Sequence, residues 1–164
     1  IGESAQGLAT YIKKVKPDGP WSFAIGYDTR HRSREFAELC AGIMVANGFT
    51  VYFIDDYRST PELSYLIRYK QCDCGIMVTA SHNPAEYQGL KFSVSNGAAA
   101  PPEVTRRIEG HIRHRQESGW TFQAGLVGSF RCKEVDPTPA YLKQLRKHIN
   151  FAVIKKAKLK GRMR

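Results

Sequence analysis

Cys74-Gly75-Ile76-Met77-Val78-Thr79-Ala80 is a run of apolar and small residues that stops at Ser81-His82-Asn83-Pro84. A short apolar run closed by turn formers reads as a buried strand, and strands buried on both faces belong to parallel sheets sandwiched between helices. A few residues on, Gly89-Leu90-Lys91-Phe92-Ser93-Val94 reads as a second short strand. The polar connection between the two is too short for a crossover, so this pair runs antiparallel. Leu90 and Phe92 alternate with Lys91 and Ser93, and a period of two turns Lys91 away from the core. Ser81 thus ends one strand while Lys91 returns on its neighbour, bringing an ammonium beside a hydroxyl. That pairing suits a phosphoryl carrier, because a phosphoserine needs a counter-charge.

The segments on either side alternate helix and strand. Leu8, Tyr11, Ile12 and Val15 have helical spacing over residues 3–15, and Lys16-Pro17-Asp18-Gly19-Pro20 breaks the helix. Residues 23–28 form a buried strand, with Ser33 as N-cap of a helix that carries Phe36, Leu39, Cys40, Ile43 and Met44 on one stripe and stops at Asn47-Gly48. A strand follows over 50–54. Ser59-Thr60-Pro61-Glu62 caps and opens a helix running to Tyr69. After the hairpin, Pro101-Pro102-Glu103 opens another, with Val104, Ile108 and Ile112 on one face. Residues 120–128 are irregular, 130–135 form a short edge strand, and a last amphipathic helix covers 137–149. This order predicts an α/β fold, a three-layer α/β/α sandwich on a mixed, mainly parallel sheet of about four strands, the last main one antiparallel.

The chain has 164 residues, 42% hydrophobic and 24% charged, enough for one globular domain with a real core. Residues 1–150 read as that domain and 151–164 as a basic tail or the start of an interdomain linker. Six of the ten net positive charges fall in that tail, on Lys155, Lys156, Lys158, Lys160, Arg162 and Arg164. No stretch approaches the roughly 20 apolar residues of a membrane span. The beginning, Ile1-Gly2-Glu3-Ser4, has no export signal and no methionine, so a soluble cytoplasmic protein and a piece of something longer are expected. Cys40, Cys72, Cys74 and Cys132 follow no disulfide or zinc spacing and read as reduced thiols.

Thr79-Ala80-Ser81-His82-Asn83-Pro84 followed by Gly89-Leu90-Lys91 closely resembles the phosphoserine loop of the α-D-phosphohexomutases, the phosphoglucomutase and phosphomannomutase family. Gly26-Tyr27-Asp28-Thr29-Arg30 with Ser33 is similar to the segment after the family's first long strand, and Thr60-Pro61 extends the likeness, which covers most of the chain as the family's first domain. The resemblance implies that Ser81 carries the phosphoryl group, that His82 and Asn83 line the phosphate site with Arg30, and that Lys91 acts as counter-charge or proton-transfer partner. It implies conversion between hexose 1-phosphate and hexose 6-phosphate through a hexose 1,6-bisphosphate. It further implies a Mg2+ ion held by the phosphate oxygen on Ser81 and by aspartates of a second domain. No Asp-Gly-Asp-x-Asp loop is present here, and the glycine-rich segment that opens the family domain does not precede Ile1. Gln88 stands where asparagine commonly precedes the glycine. An isolated chain with these features is expected to be inactive, its partners being hexose phosphates and the remaining domains. Thr79 leans the sugar toward glucose or mannose.

Two other classes compete. A serine hydrolase would use Ser81 with a histidine, but no Gly-x-Ser-x-Gly elbow and no acidic orienter accompany it. A noncatalytic binding protein, a mutase-like domain with a basic tail, would hold an acidic partner. Nucleic acid is not expected, since Trp21, Trp120, Phe122 and Phe130 follow no RNP-like or finger pattern. Arg30, Arg32 and Arg34 form either an anion-binding patch or a solvated cluster at a helix start. His111, His114 and His148 sit among Arg and Lys on helical surfaces, as solvated residues do.

Overall fold

The computed structural model describes residues 1–119 and 121–161. In chain order the elements are α1 (Gly2–Val15), β1 (Ser22–Tyr27), α2 (Ser33–Ala46), β2 (Thr50–Ile54), α3 (Thr60–Tyr69), β3 (Cys74–Val78), β4 (Leu90–Val94), α4 (Pro102–Glu117), β5 (Cys132–Val135), α5 (Thr138–Leu145) and α6 (Phe151–Leu159).

β3 is buried at every residue and β1 at all but its first, which explains their central places in a sheet ordered β4-β3-β1-β2-β5. β1 pairs in parallel with β2 and with β3, β2 pairs in parallel with β5, and β4 runs antiparallel to β3. The sheet therefore has five strands among the described residues rather than about four. The fifth is the short 130–135 segment, which starts at Cys132 and joins the edge beside β2.

Alternation along the strands divides the core in two. Phe23, Ile25 and Tyr27 of β1 point to the layer built by α1, α2 and α4, where Leu8, Ile12, Ile43, Met44, Phe49 and Ile108 are buried. Ala24 and Met77 point to α3 and meet Leu63, Leu66 and Ile67. α3 comes close because two strand positions lack side chains. A Cβ on Gly75 would lie 2.6 Å from Ile67 Cδ1 and 2.9 Å from the Ala24 carbonyl, so only glycine fits there. Each fully buried aliphatic of this size stabilises the fold by about 1.5–3 kcal/mol.

Local signals account for several boundaries. Ser59 and Glu62 form a capping box at the start of α3, with Pro61 in the first turn. Gly48 closes α2 with φ +88°. Gly110 sits inside α4 at a cost of about 0.5–1 kcal/mol relative to alanine, and nothing lies within 4 Å of the Cβ it lacks.

Other boundaries differ from the sequence expectation. Ser33 is not the N-cap of α2; Arg32 occupies that position in a left-handed conformation, and Ser33 begins the helix with its hydroxyl committed elsewhere. Ser93 is buried although it shares a strand face with exposed Lys91, because the chain folds back and Ala99 bridges to it. The last amphipathic helix ends at Leu145. Within the expected tail, residues 151–159 form α6, started by Asn150, whose side chain accepts from the Val153 amide. α6 buries none of its residues. The irregular stretch expected over 120–128 is irregular over 121–128; Trp120 lies outside the described residues, as do Arg162 and Arg164 of the tail. No helix is long and apolar enough to cross a membrane among the described residues.

Candidate active site

In parallel α/β sheets, ligands gather outside the carboxyl ends of the strands where successive connections leave in opposite directions. Here that point lies at β1, with α2 on one face leading to β2 and α3 on the other leading to β3. The residues just beyond β1 and β3 are Asp28 to Ser33 and Thr79 to Gln88.

β3 is followed by buried Thr79 and Ala80, and the chain emerges at Ser81 with φ +59°. A left-handed serine costs about 1–2 kcal/mol, so its surroundings must hold it. The Ser81 amide donates to Thr79 Oγ1 at 3.0 Å, and the Asn83 amide closes a turn onto the Ala80 carbonyl at 3.1 Å. Ser81 is exposed, and Lys91 Nζ donates to Ser81 Oγ at 2.8 Å. Lys91 sits opposite Met77 in the antiparallel ladder, which sends its side chain out past the end of β3. The hydroxyl and the ammonium are thus brought together as the hairpin predicts. His82 and Asn83 are exposed beside Ser81, and among the described residues their side chains make no hydrogen bond, leaving both available to a ligand.

Arg30 stands on the protein side of this loop. Its Nη1 donates to the carbonyls of Pro84 at 2.7 Å and Tyr87 at 3.1 Å. Nη2 donates to those of Ser81 at 3.1 Å and Asn83 at 2.6 Å, and Nε lies 3.3 Å from Asp28 Oδ2. A guanidinium has five N–H groups; the two Nη atoms meet four carbonyl acceptors here, and Nε makes an ion pair with Asp28.

Asp28 is the hub that sequence reasoning passed over. Its Oδ1 accepts from the Ser33 hydroxyl at 2.8 Å and from the Arg30 amide at 3.0 Å. Burial acts to raise its pKa. Hydrogen bonds from the Thr79 and Ser33 hydroxyls and the Arg30 amide, with the Arg30 charge, outweigh burial and hold the carboxyl below its ordinary value. Gln88 completes the circuit: its amide donates to Ser33 Oγ at 2.8 Å and its oxygen accepts from the Gly89 amide at 3.0 Å. The signal for this hub was an aspartate at a strand end two residues before an arginine. The signal for Gln88 was only its amide.

Arg32 and Arg34 are half-exposed and paired with Glu35 and Glu38 on their own helix. They border a cleft of about 320 Å³ with Asp56 and Tyr57 beside the Asp28 hub. Their pairing fits the solvated-cluster alternative. His111 and His114 lie on α4, and His148 follows α5, all away from Ser81. The thiols are free, and burial pushes Cys40 and Cys72 up to about 12, which makes them poor nucleophiles.

Residues 1–119 match the family model described as "Phosphoglucomutase/phosphomannomutase, alpha/beta/alpha domain I". A phosphoglucomutase of Staphylococcus haemolyticus is 42% identical over 114 residues, 70% of this chain and 20% of that protein. The phosphoglucomutase of Staphylococcus aureus USA300 is 33% identical over 157 residues, 92% of this chain and 28% of that protein. Among solved structures, a Thermus thermophilus protein assigned as a phosphomannomutase superposes with a TM-score of 0.78 at 26% identity, covering 92% of this chain and 32% of that one. The Paramecium phosphoglucomutase pp63/parafusin shares the fold with a TM-score of 0.74 at 23% identity, covering 93% and 32%. The chain thus spans about a fifth to just over a quarter of the length of these two curated relatives. Matched over most of its length by the family model, with the serine hairpin inside the matched region, the chain belongs to the phosphoglucomutase/phosphomannomutase family as its domain I.

Proposed function

We propose that this chain is the phosphoserine-bearing N-terminal domain of a phosphohexomutase that interconverts hexose 1-phosphate and hexose 6-phosphate, with glucose or mannose as the sugar. The observation that carries the reading is the 2.8 Å hydrogen bond from Lys91 Nζ to the exposed, left-handed Ser81. Phosphoryl transfer depends on positioning and on charge around the transferred group. A fixed hydroxyl at a sheet edge, with a cation on its oxygen, supplies both on one side of the reaction.

In this mechanism the hexose monophosphate hydroxyl gives its proton to a base supplied by the remaining domains and attacks the phosphorus on Ser81, the P–Oγ bond breaks, and a hexose 1,6-bisphosphate forms. Lys91 donates to the departing serine oxygen and balances its developing charge. In the return step Ser81 Oγ takes the other phosphoryl group and gives up its proton. His82 and Asn83, with unengaged side chains, contact the phosphate oxygens.

The family implies Mg2+. No group of three potential ligands occurs among the described residues, and the Asp28 oxygens are already engaged by Ser33 and Arg30. The fit is through one donor only: a phosphate on exposed Ser81 is accessible to an ion whose remaining ligands come from a second domain. When bound, such an ion neutralises charge on the phosphoryl oxygens. Residues 1–150 are the domain proper, residues 151–164 lead toward the next, and free thiols, with Cys40, Cys72 and Cys74 buried, suit a cytoplasmic enzyme.

Since the nucleophile lies here and the sugar-selecting loops lie elsewhere, the isolated chain has no mutase turnover. Coupled assays with glucose 1-phosphate and mannose 1-phosphate test this. The expected result is no turnover by the chain alone, and turnover once it is joined in frame to the remaining domains of the S. aureus phosphoglucomutase. Sustained turnover by the purified chain alone, or a folded but silent fusion, would contradict it.

A further inference from the structure

We infer that Arg30 is the positioning residue of the Ser81 loop: by engaging four carbonyls of residues 81–87 it sets the loop's polarity, fixes Ser81 in its left-handed conformation and aims the hydroxyl at Lys91. The inference deepens the phosphoserine reading and rests on it for its purpose, though not for its geometry.

The acceptors are the backbone carbonyls of Ser81, Asn83, Pro84 and Tyr87, the first three clustered at the turn itself. Carbonyl oxygens carry the negative end of the peptide dipole and repel a phosphate. Gathering them around one guanidinium draws that negative pole to the protein side of the loop. Among the described residues the backbone amides of His82 and Ala85, which share peptide units with the Ser81 and Pro84 carbonyls, have no acceptor, so the donors of those two peptides stay unspent. A loop that keeps such amides free while its carbonyls are engaged is suited to an anion.

The second consequence concerns conformation. Ser81 cannot leave the left-handed region without swinging its own carbonyl, and that carbonyl is held by Arg30 Nη2. Arg30 is itself aligned by Asp28 Oδ2 and lies mostly out of solvent. A lysine has three donors on one rotating atom and cannot span these acceptors. With both Nη atoms of Arg30 engaged by protein carbonyls and Nε facing Asp28, its action on a phosphate runs through the loop and through charge, not through direct contact.

Nuclear magnetic resonance of the full chain tests the inference without any substitution. The expected result is slow, resolved guanidinium N–H resonances for Arg30, with couplings across hydrogen bonds to the four carbonyls, and left-handed 13Cα and 13Cβ shifts for Ser81. Averaged guanidinium signals would overturn it. In Arg30→Lys, exchange of the Asn83 and Tyr87 amides should accelerate about 10-fold or more and the Ser81 shifts should move to ordinary values, while Ile25 and Ile76 keep the parent's exchange. Unchanged exchange and shifts in a folded Arg30→Lys variant would also overturn it. A parent chain with the left-handed signature whose Ser81 takes up no phosphoryl group even when fused to the remaining domains would count against the phosphoserine reading and leave the clamp standing.

Discussion

Two arginines stand at the ends of neighbouring strands and behave oppositely. Arg30 follows β1 and Arg58 follows β2, and their side chains are similarly withdrawn, 15% and 19% exposed. Arg30 spends four of its five donors on neutral carbonyls and meets one carboxylate. Arg58 faces Asp55, Asp56, Glu62 and Asp136 and also donates to the Thr138 hydroxyl. Burial works against the Arg58 charge, and Asp55 and Asp136 more than offset it. At one corner the Arg30 and Asp28 charges cancel and Lys91 leaves a positive charge, while the next corner, one cation among four carboxylates, is net negative. On the proposed reading, the difference assigns the anion to the corner above β1 and β3, at Ser81, and not to the one above β2 and β5.

The sharpest way to break this contrast is to remove the acceptor. Ser81→Ala should abolish covalent phosphate on the chain and all turnover of a fused enzyme, with the urea midpoint unchanged. Next in size is Lys91→Ala, which takes the cation off the serine oxygen. It should slow phosphoryl transfer by roughly 10²–10³-fold, the usual cost of one electrostatic stabiliser. A similar rate in Lys91→Ala and the parent would remove Lys91 from the chemistry.

The other corner should respond in stability instead. Arg58→Met leaves four carboxylates without their common cation and should cost about 1–3 kcal/mol in urea denaturation, less than a fully buried pair because the carboxylates are partly solvated. Amide exchange around Ser81 should not change. If that exchange accelerated as much as in Arg30→Lys, the two corners would not be independent.

The smallest effect is in the pH dependence. Asp28 is held below its ordinary value of 3.8. Its stabilising contribution is therefore complete above that value and is lost as pH falls through the lower folded value. An NMR titration of the Asp28 carboxyl should show a midpoint below 3.8, and Asp28→Asn should lose stability at neutral pH while flattening the acid limb. A midpoint at or above the ordinary value would show that the Ser33, Thr79 and Arg30 contacts do not outweigh burial.

What was legible in the sequence follows from the range of each interaction. The capping box at Ser59 and Glu62, the stop at Gly48 and the hairpin pairing of β3 with β4 depend on residues close in sequence, and the chain states them. The pairing of Ser81 with Lys91 was readable for the same reason. Ser33 misled because a serine before a helix is normally a cap, whereas Asp28 on the preceding strand claims its hydroxyl at 2.8 Å. The work of Arg30 was not legible, since backbone carbonyls more than fifty positions away carry no side-chain signature. α6 was hidden by its lysines, which dominated the reading of residues 151–159 as a tail. The fifth strand was visible only as a short segment, because four residues at an edge offer little periodicity.

The central claim is that the hydroxyl of Ser81 is the chain's phosphoryl acceptor. Tandem mass spectrometry of the chain fused to the remaining domains of the S. aureus phosphoglucomutase, after incubation with hexose 1,6-bisphosphate and Mg2+ and with Ser81→Ala alongside, tests it most directly. The account predicts one added phosphoryl group, located on Ser81 and absent from the variant. Phosphate found on another residue, or a Ser81 that remains bare, would contradict it.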